Sequence, residues 1–506
     1  MLYPTTAGST VATCAQVAGG RVVGDGSARV HGVTLDSRAV RRSDLYAALP
    51  GANTHGGVFA AAAALAGAAA ILTDSLGLEM VEAAGVELPV IVVGSPRAVL
   101  GAVAAEVYGT EDPALSLIGI TGTNGKTTTA YLIASALEAL GRSTGLIGTV
   151  ETRIGKERVR SVRTTPESCD LHRLLAVMRE RGIDDCVMEV SSHALALHRV
   201  DGVVYDLALF TNLSQDHLDF HADMEDYFAA KASLFTGARA RRGIVWLDSP
   251  MSPRLVAQAT IPCITVGQAR EEAPDFRVDV VGTGPGFVLT GPQGLTLDLH
   301  SALPGTFNIE NTAMAAVTLL AMGLDPAAVQ RAILTDPHVP GRMERVTVAH
   351  PDAPLAVVDY AHTPDAVRLA VTSLRAQDRG PLVVVLGAGG GRDIAKRPAM
   401  GAAAAQADVV IVTDDNPRGE DAGEIRSAVL AGARAAGTGA SVEEVPGRRA
   451  AIDRAVEIAC AAGKSATIAL VGKGHETGQE VDGVTHPFDD RVQLRAALEN
   501  RLGGTR

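Results

Sequence analysis

The chain has 506 residues, 47% of them hydrophobic, and a formal net charge of −12 at pH 7. This length predicts two to four domains, each with enough apolar side chains for a core of its own. The acidic balance excludes a nucleic-acid partner as the default reading, because a phosphate backbone is met by a basic face.

Acidic substrates would have to be held by a few local cations and by backbone N–H groups. Five cysteines, at positions 14, 169, 186, 263 and 460, show no Cys-x-x-Cys spacing. Unpaired cysteines of this kind predict reduced thiols and a cytoplasmic setting. The N-terminus shows no basic segment followed by an apolar one, so a signal peptide is not expected. The most apolar stretch, Gly57–Leu72, is mostly Ala and too short to span a bilayer, so membrane insertion is not expected either. Only six lysines stand against 39 arginines. Where a generic cation suffices this chain uses Arg, so each Lys marks a place where Arg would not serve. The six are Lys126, Lys156, Lys231, Lys396, Lys464 and Lys473.

In chain order, the first zone (1–112) mixes short alternating segments such as "ARVHGVTLDSR" with an Ala-rich helical stretch and the β-like "PVIVVG". "YGTEDPALS" (108–116) reads as a linker, with Gly, acids and Pro together. The second zone (113–338) opens on the strand "LSLIGI". "CVMEVSS" and "YDLALFTNLS" follow as buried strands ending in polar residues. Strands alternating with helices imply a mostly parallel sheet covered on both faces. The third zone (339–506) follows "DPHVPGRMERV" and holds "PLVVVLGAGG", "DVVIVTDDNPRG" and "ATIALVGKGHE". Each is an apolar run ending in Gly or polar residues, the pattern of a doubly wound sheet with function at the strands' carboxyl ends. The predicted fold class is therefore α/β in three domains.

"GTNGKTT" (122–128) sits between a strand and the helical "TTTAYLIASALEALG". Gly122 and Gly125 allow a tight turn whose N–H groups point at an anion, and the helix N-terminus adds partial positive charge. Lys126 can reach outer phosphates, and Thr127 can offer a hydroxyl to Mg²⁺. The spacing is shorter than a strict Walker loop, which would need Gly where Ile120 stands. The loop predicts a bound nucleoside triphosphate; a turn that merely starts a helix is the alternative. Glu189, at a strand end, and the group His217, His221 and Lys231 supply further oxygen and nitrogen donors of the kind Mg²⁺ sites draw on.

The ordered motifs "TLDSRAVRRSDLYAALPG", "GITGTNGKTTT", "TTPES", "MEVSSHAL", "TNLSQDHLDFH", "YFAAKASLF", "PGRMERV", "VDYAHTPD" and "DDNPRGE" resemble the Mur ligases of peptidoglycan synthesis. They run from about residue 34 to 480, nearly the whole chain. The resemblance implies a small uridine-binding domain, a central P-loop-type ATPase domain and a C-terminal Rossmann-like domain. It implies a cytoplasmic, monomeric, ATP-dependent amide ligase that adds 2,6-diaminopimelate to UDP-N-acetylmuramoyl-L-alanyl-D-glutamate through an acyl phosphate. By motif, Gly122, Thr123, Asn124, Gly125, Lys126, Thr127 and Thr128 hold the ATP phosphates, and Asn308, Arg342 and Asp359 lie near the nucleotide. Thr127, Glu189 and His217 serve Mg²⁺. Lys231 matches a lysine the family carries as a CO₂-derived carbamate. Lys126, Lys231, Glu189 and His217 form the catalytic set. Leu35, Ser37, Thr164, Thr165, Ser191 and Arg199 match positions that hold the UDP-muramoyl-dipeptide. Arg392, Asp415, Asn416, Pro417, Arg418, Gly472 and Glu476 match those that hold diaminopimelate. Two departures stand out: Leu197 where some relatives have Gln, and Gly391 where relatives often have Asp. A lysine-adding relative, a folylpolyglutamate synthetase-like ligase and a nucleotide-gated binding protein are the competing readings.

Overall fold

The computed structural model describes residues 2–159, 161, 163–268, 273–282, 284–377, 380–391 and 393–503. The chain divides into two compact units. One comprises Met1–Gly122, Leu137–Thr211 and Glu225–Thr265; the other comprises Thr123–Ala136, Asn212–Met224 and Val266–Arg506.

The first unit holds two α/β sheets. The smaller has the strand order Arg21–Val23, Val90–Val92, Ala70–Thr73, Asp44–Ala47, Gly32–Thr34. Only its first pair is antiparallel. Asp74 starts the helix Ser75–Ala83 by accepting the Gly77 N–H, and Gly109 ends the helix Pro96–Tyr108 at φ 62. These are the residue types that satisfy orphan helix-end groups. In the larger sheet the order runs Glu157–Val159, Thr152–Ile154, Thr144–Ile147, Asp185–Glu189, Ser116–Thr121, Tyr205–Phe210, Ala240–Trp246. The last five of these are mutually parallel. The parallel strands put Thr121, Glu189 and Phe210 at one edge, the carboxyl end at which open α/β sheets bind ligands.

In the second unit, Phe276–Val280, Gly286–Thr290 and Thr296–His300 form an antiparallel meander. Beyond it lies a six-stranded sheet in the order Glu344–Arg345, Leu355–Asp359, Thr467–Val471, Leu382–Leu386, Val409–Val412, Ser441–Glu444. All but the first pair are parallel. The buried run "LVVVL" shows why no period was visible in the sequence. Leu382, Val384 and Leu386 pack with Val367, Met400 and Val429 on one face, whereas Val383 and Val385 pack with Ile452, Val456 and Leu494 on the other. A strand covered on both faces is apolar at every position. Helices Pro364–Arg375, Lys396–Ala404 and Ala422–Ala435 lie on the first face; Arg448–Ala462 and Asp490–Gly503 lie on the second. The helices Lys396–Ala404 and Ala422–Ala435 touch backbone to backbone. A Cβ on Gly401 would sit 2.0 Å from Val429 O, and one on Gly432 would sit 1.8 Å from Pro398 O. The chain reverses direction across the sheet after Ser441–Glu444. The loops following Leu382–Leu386, Val409–Val412 and Thr467–Val471 therefore emerge together at the carboxyl edge.

The fold is α/β throughout: a small N-terminal sheet, a large mostly parallel central sheet and a doubly wound C-terminal sheet. Among the described residues, no helix is long and apolar enough to cross a membrane. All five cysteines are free thiols.

Candidate active site

In the first unit the predicted residues gather around Glu189. This carboxylate is 2% exposed at its strand end. Its Oε1 accepts the Thr149 N–H at 2.8 Å, and its Oε2 accepts the Thr149 hydroxyl at 3.1 Å. Thr149 in turn meets Thr164 hydroxyl to hydroxyl at 3.0 Å. Thr165 donates to the Glu189 carbonyl at 2.9 Å and accepts the Ser191 N–H at 3.1 Å. Thr164, Thr165, Ser191 and Glu189 thus form one hydrogen-bonded group. Gly148 makes room for it, since a Cβ there would stand 2.4 Å from Glu189 Oε1.

Arg199 pairs with Glu167, two residues beyond Thr165 in the chain. That carboxylate is 6% exposed and faces Arg199 at 3.0 Å, Arg97 at 3.1 Å and Arg163 at 3.8 Å. Burial pushes the Arg199 guanidinium below its ordinary value, against the pull of Glu167. Three cations around one carboxylate leave a net positive surface, suited to an anionic substrate. The motif "TTPES" contains Glu167 without giving it a role; Arg163 lies four residues before it, but Arg97 and Arg199 are distant in the chain and gave no local signal. Lys231 is 1% exposed. Its Nζ donates to Gly122 O at 2.8 Å and lies 4.6 Å from the centre of the Tyr227 ring. Leu35 and Ser37 follow the strand Gly32–Thr34, both half-buried.

In the second unit the glycine-rich loop is held by Asn212, Ser214 and Asn311, which sequence reasoning did not single out. Thr123 N–H donates to Asn212 O, and Asn124 N–H donates to Asn212 Oδ1, each at 2.9 Å. Thr123 Oγ1 donates to Ser214 O at 3.1 Å. Gly125 has φ 86, and a Cβ there would meet Asn311 Oδ1 at 2.4 Å. Only glycine combines that backbone with that approach. Lys126 Nζ folds back onto Thr123 O at 2.8 Å. Thr127 Oγ1 accepts Arg342 Nη2 at 3.1 Å, and Thr128 is buried behind it. Arg342 also stacks 4.5 Å over the Tyr360 ring. Asp359 accepts the Met343 and Ala361 N–H groups at 2.7 and 2.8 Å. Burial pushes Asp359 up, with Arg342 and these two N–H groups opposing. Asn308, 1% exposed, donates to Pro304 O at 2.6 Å and accepts from Asn311 at 3.0 Å. His217 takes the left-handed φ of 56 and stands 3.5 Å from Asp216. Burial would raise Asp216, but His217, His362 and Lys396 outweigh it and hold the carboxyl below its ordinary range.

The second unit also brings together the residues predicted for the incoming amino acid. Asn416 Nδ2 donates to Glu476 Oε2 at 2.9 Å. Gly472, at φ 114, lets Asp415 come close: a Cβ there would lie 2.6 Å from Asp415 Oδ2. Arg418, at φ 54, donates to Gly390 O at 2.6 Å, and its guanidinium stands 3.4 Å from Glu480. Pro417 accepts the Glu420 N–H at 3.0 Å, closing the turn. Arg392 lies outside the described residues. Gly391 N–H donates to Glu420, which also pairs with the buried Arg397 at 2.8 Å. Glu420 thereby holds the loop whose relatives often carry Asp at position 391.

Among the described residues, no cluster of three or more His, Cys, Asp or Glu side chains could hold a metal ion. Hydroxyl, carboxylate and imidazole donors in ones and twos suit an ion that takes most of its ligands from phosphates and water, as Mg²⁺ does.

Three family models match successive parts of the chain: Mur ligase family, catalytic domain, over residues 29–108; Mur ligase middle domain, over 120–319; and Mur ligase, glutamate ligase domain, over 341–474. The UDP-N-acetylmuramoyl-L-alanyl-D-glutamate--2,6-diaminopimelate ligase of Streptomyces coelicolor is 50% identical, covering 95% of this chain and 94% of its own. The UDP-N-acetylmuramyl-tripeptide synthetase of Leifsonia xyli is 45% identical, covering 93% and 91%. Among solved structures, a UDP-N-acetylmuramoyl-L-alanyl-D-glutamate--2,6-diaminopimelate ligase aligns with a TM-score of 0.67 at 29% identity, covering 98% of this chain and 99% of that one. A folylpolyglutamate synthase of Mycobacterium tuberculosis complexed with ADP shares the fold, with a TM-score of 0.58 at 21% identity, over 73% of this chain and 90% of its own. From one end to the other, in sequence and in fold, the chain belongs to the Mur ligase family.

Proposed function

We propose that the protein joins 2,6-diaminopimelate to UDP-N-acetylmuramoyl-L-alanyl-D-glutamate, hydrolysing ATP to ADP and phosphate, in cytoplasmic peptidoglycan precursor synthesis. The observation that carries this reading is the "DNPR" turn, with Asn416 held to Glu476, in a chain 50% identical to relatives of that name. Three domains divide the work: 1–112 for the uridine moiety, 113–338 for ATP and 339–506 for the amino acid. The family matches at 29–108, 120–319 and 341–474 support that division.

A carboxylate is a poor acyl donor, so its oxygen first attacks the γ-phosphorus of ATP and ADP departs. The amine then attacks the acyl carbon, and phosphate leaves as the amide forms. The protein's part is positioning and charge neutralisation. N–H groups of residues 122–128 hold the phosphates, and Lys126 leaves Thr123 O to neutralise the outer ones. Thr127, Glu189, His217 and a carbamate on Lys231 fit Mg²⁺ by donor chemistry. Bound there, the ion would offset phosphate charge. A carbamate forms from a neutral amine and CO₂, which a guanidinium cannot imitate; the burial of Lys231 in a lysine-poor chain supports it. The surplus of positive charge at Arg97, Arg163 and Arg199 suits the anionic UDP-linked substrate.

Purified protein should release phosphate only when ATP, the UDP-muramoyl-dipeptide and an amino acid are all present. Diaminopimelate should exceed L-lysine in kcat/KM by roughly 10³-fold, since lysine lacks the distal carboxylate that Arg418 and Arg392 would pair. The Leifsonia relative's name leaves the amino acid open, so comparable efficiencies would transfer the assignment to a lysine-adding ligase.

A further inference from the structure

Lys473 is fully buried at the end of the strand Thr467–Val471 and has no part in the roles assigned above. Its ammonium donates to Asn416 Oδ1 at 3.3 Å, Glu476 Oε2 at 3.1 Å and Gly478 O at 2.5 Å. An ammonium has three donors, and three acceptors meet them. Two of those acceptors belong to side chains proposed to hold the incoming amino acid.

The consequence is a fixed polarity. Asn416 Oδ1 receives Lys473 and also the Glu480 N–H at 2.9 Å. An amide oxygen has two lone pairs, and both are engaged. Two donors facing the same atom also identify it as oxygen, so the other atom, 2.9 Å from Glu476 Oε2, is nitrogen. Asn416 is left with one N–H to offer a ligand and no acceptor. Glu476 Oε2 is likewise engaged twice, by Lys473 and Asn416, which leaves Oε1 to accept. We infer that Lys473 is a positioning residue that sets the hydrogen-bonding polarity of the amino-acid site, making Asn416 a donor toward substrate oxygen and Glu476 an acceptor for substrate ammonium.

The inference rests on the proposed ligase reading. It also accounts for Lys in a chain that otherwise uses Arg. A compact ammonium reaches three acceptors on different sides, whereas a planar guanidinium fork cannot. With Lys473 removed, the Asn416 amide loses the partner that holds its orientation, and Glu476 loses the cation that fixes its Oε2.

The test is steady-state phosphate release by the full chain, varying each substrate in turn. Lys473→Met should raise KM for diaminopimelate at least about tenfold while KM for ATP and for the UDP-muramoyl-dipeptide stay within about twofold. Lys473→Arg should resemble Lys473→Met rather than wild type. An unchanged diaminopimelate KM, or equal rises in all three KM values, would overturn the inference. Should Lys473→Met fail to fold, Asn416→Asp decides. It keeps an oxygen facing Lys473 but replaces the N–H donor by a second acceptor, so it should lose diaminopimelate affinity at least about tenfold. Retained affinity would mean that Asn416 serves as an acceptor and the polarity is wrong. A wild-type protein that releases phosphate with no amino acid defeats the ligase reading and this inference with it. An active wild type with an unchanged Lys473→Met defeats this inference alone.

Discussion

Replacing Arg448 by Met should destabilise the second unit heavily. Arg448 opens the helix Arg448–Ala462, and Asp490 opens the helix Asp490–Gly503. Their side chains are both 0% exposed and meet in a two-pronged pair at 2.8 and 2.6 Å. The same guanidinium donates to Val471 O at 3.1 Å and to Asp414 O at 3.4 Å. Burial alone would depress Arg448, but Asp490 more than offsets it and the group is raised. Met fills much of the same volume, so the main loss is electrostatic: Asp490 becomes a buried carboxylate without its cation. Breaking such a pair from one side costs about 3–5 kcal/mol. For a unit of this size each kcal/mol shifts Tm by about 2–4 °C, so the melting transition should fall by roughly 6–20 °C. Calorimetry on the full chain measures it. The double variant Arg448→Met, Asp490→Leu should regain most of the loss, because removing both charges leaves neither one stranded. Arg448→Met melting within about 2 °C of wild type would refute the reasoning, as would a double variant no more stable than the single. Because the pair also ties down the carbonyls just before Asp415 and Gly472, the single variant should weaken amino-acid binding at temperatures where it remains folded.

Three further outcomes are expected. Lys231→Ala should lose most activity and regain part of it with bicarbonate or a short carboxylic acid, which can occupy the space of the missing anion; full activity without additive would remove the carbamate from the mechanism. Gly125→Ala should raise KM for ATP at least about tenfold with little change in circular dichroism, since a φ of 86 costs a non-glycine residue about 1–2 kcal/mol and the new Cβ would press on Asn311 Oδ1 at 2.4 Å; an unchanged KM would show that the loop adapts. Burial pushes His172 down from 6.5 to about 4, so between those values the unfolded chain takes up a proton that the folded one refuses. Stability is therefore full above pH 6.5 and declines as pH falls toward 4, and His172→Gln should flatten that part of the Tm-against-pH curve; an unaltered slope would assign the acid sensitivity to other groups.

The sheets of the fold were legible because burial writes itself into consecutive residues. "LVVVL", "VVIV" and "TIALV" are strands covered on both faces, and each reads as one unbroken apolar run. The meander was not singled out, although "TLDLH" alternates exposed and buried positions; five residues with one face in solvent make a weaker signal than a continuous run. The glycine-rich loop between strand and helix was legible from Gly125, Lys126 and Thr127, but the side chains that brace it were not. Asn212 and Asn311 stand far from the loop in sequence, and nothing in an isolated Asn says which backbone it will hold. Glu167 had the same difficulty, since Arg97 and Arg199 join its neighbour Arg163 around it only after folding. The left-handed backbone at His217 and Arg418 was likewise invisible, because neither residue type announces a positive φ.

The shortage of lysine was the one compositional signal that pointed at individual atoms, and the buried cations explain why. Arg448 faces a single carboxylate in the plane of its guanidinium, and two parallel N–H donors match two carboxylate oxygens. Lys473 faces an amide oxygen, a carboxylate oxygen and a carbonyl from three different residues, and three donors around one nitrogen match them. Lys231 donates to the Gly122 carbonyl and stands over the Tyr227 ring. Each cation is chosen by the geometry of what it must touch. In a chain where Arg is the habitual choice, a buried Lys therefore marks either a set of acceptors that a planar fork cannot reach or a nitrogen that must react. Lys473 belongs to the first class, and the carbamate proposed above would place Lys231 in the second. Exchanging Lys for Arg should accordingly impair both sites for different reasons, with carboxylate additives rescuing neither, since in each case the bulk of the guanidinium would remain in place.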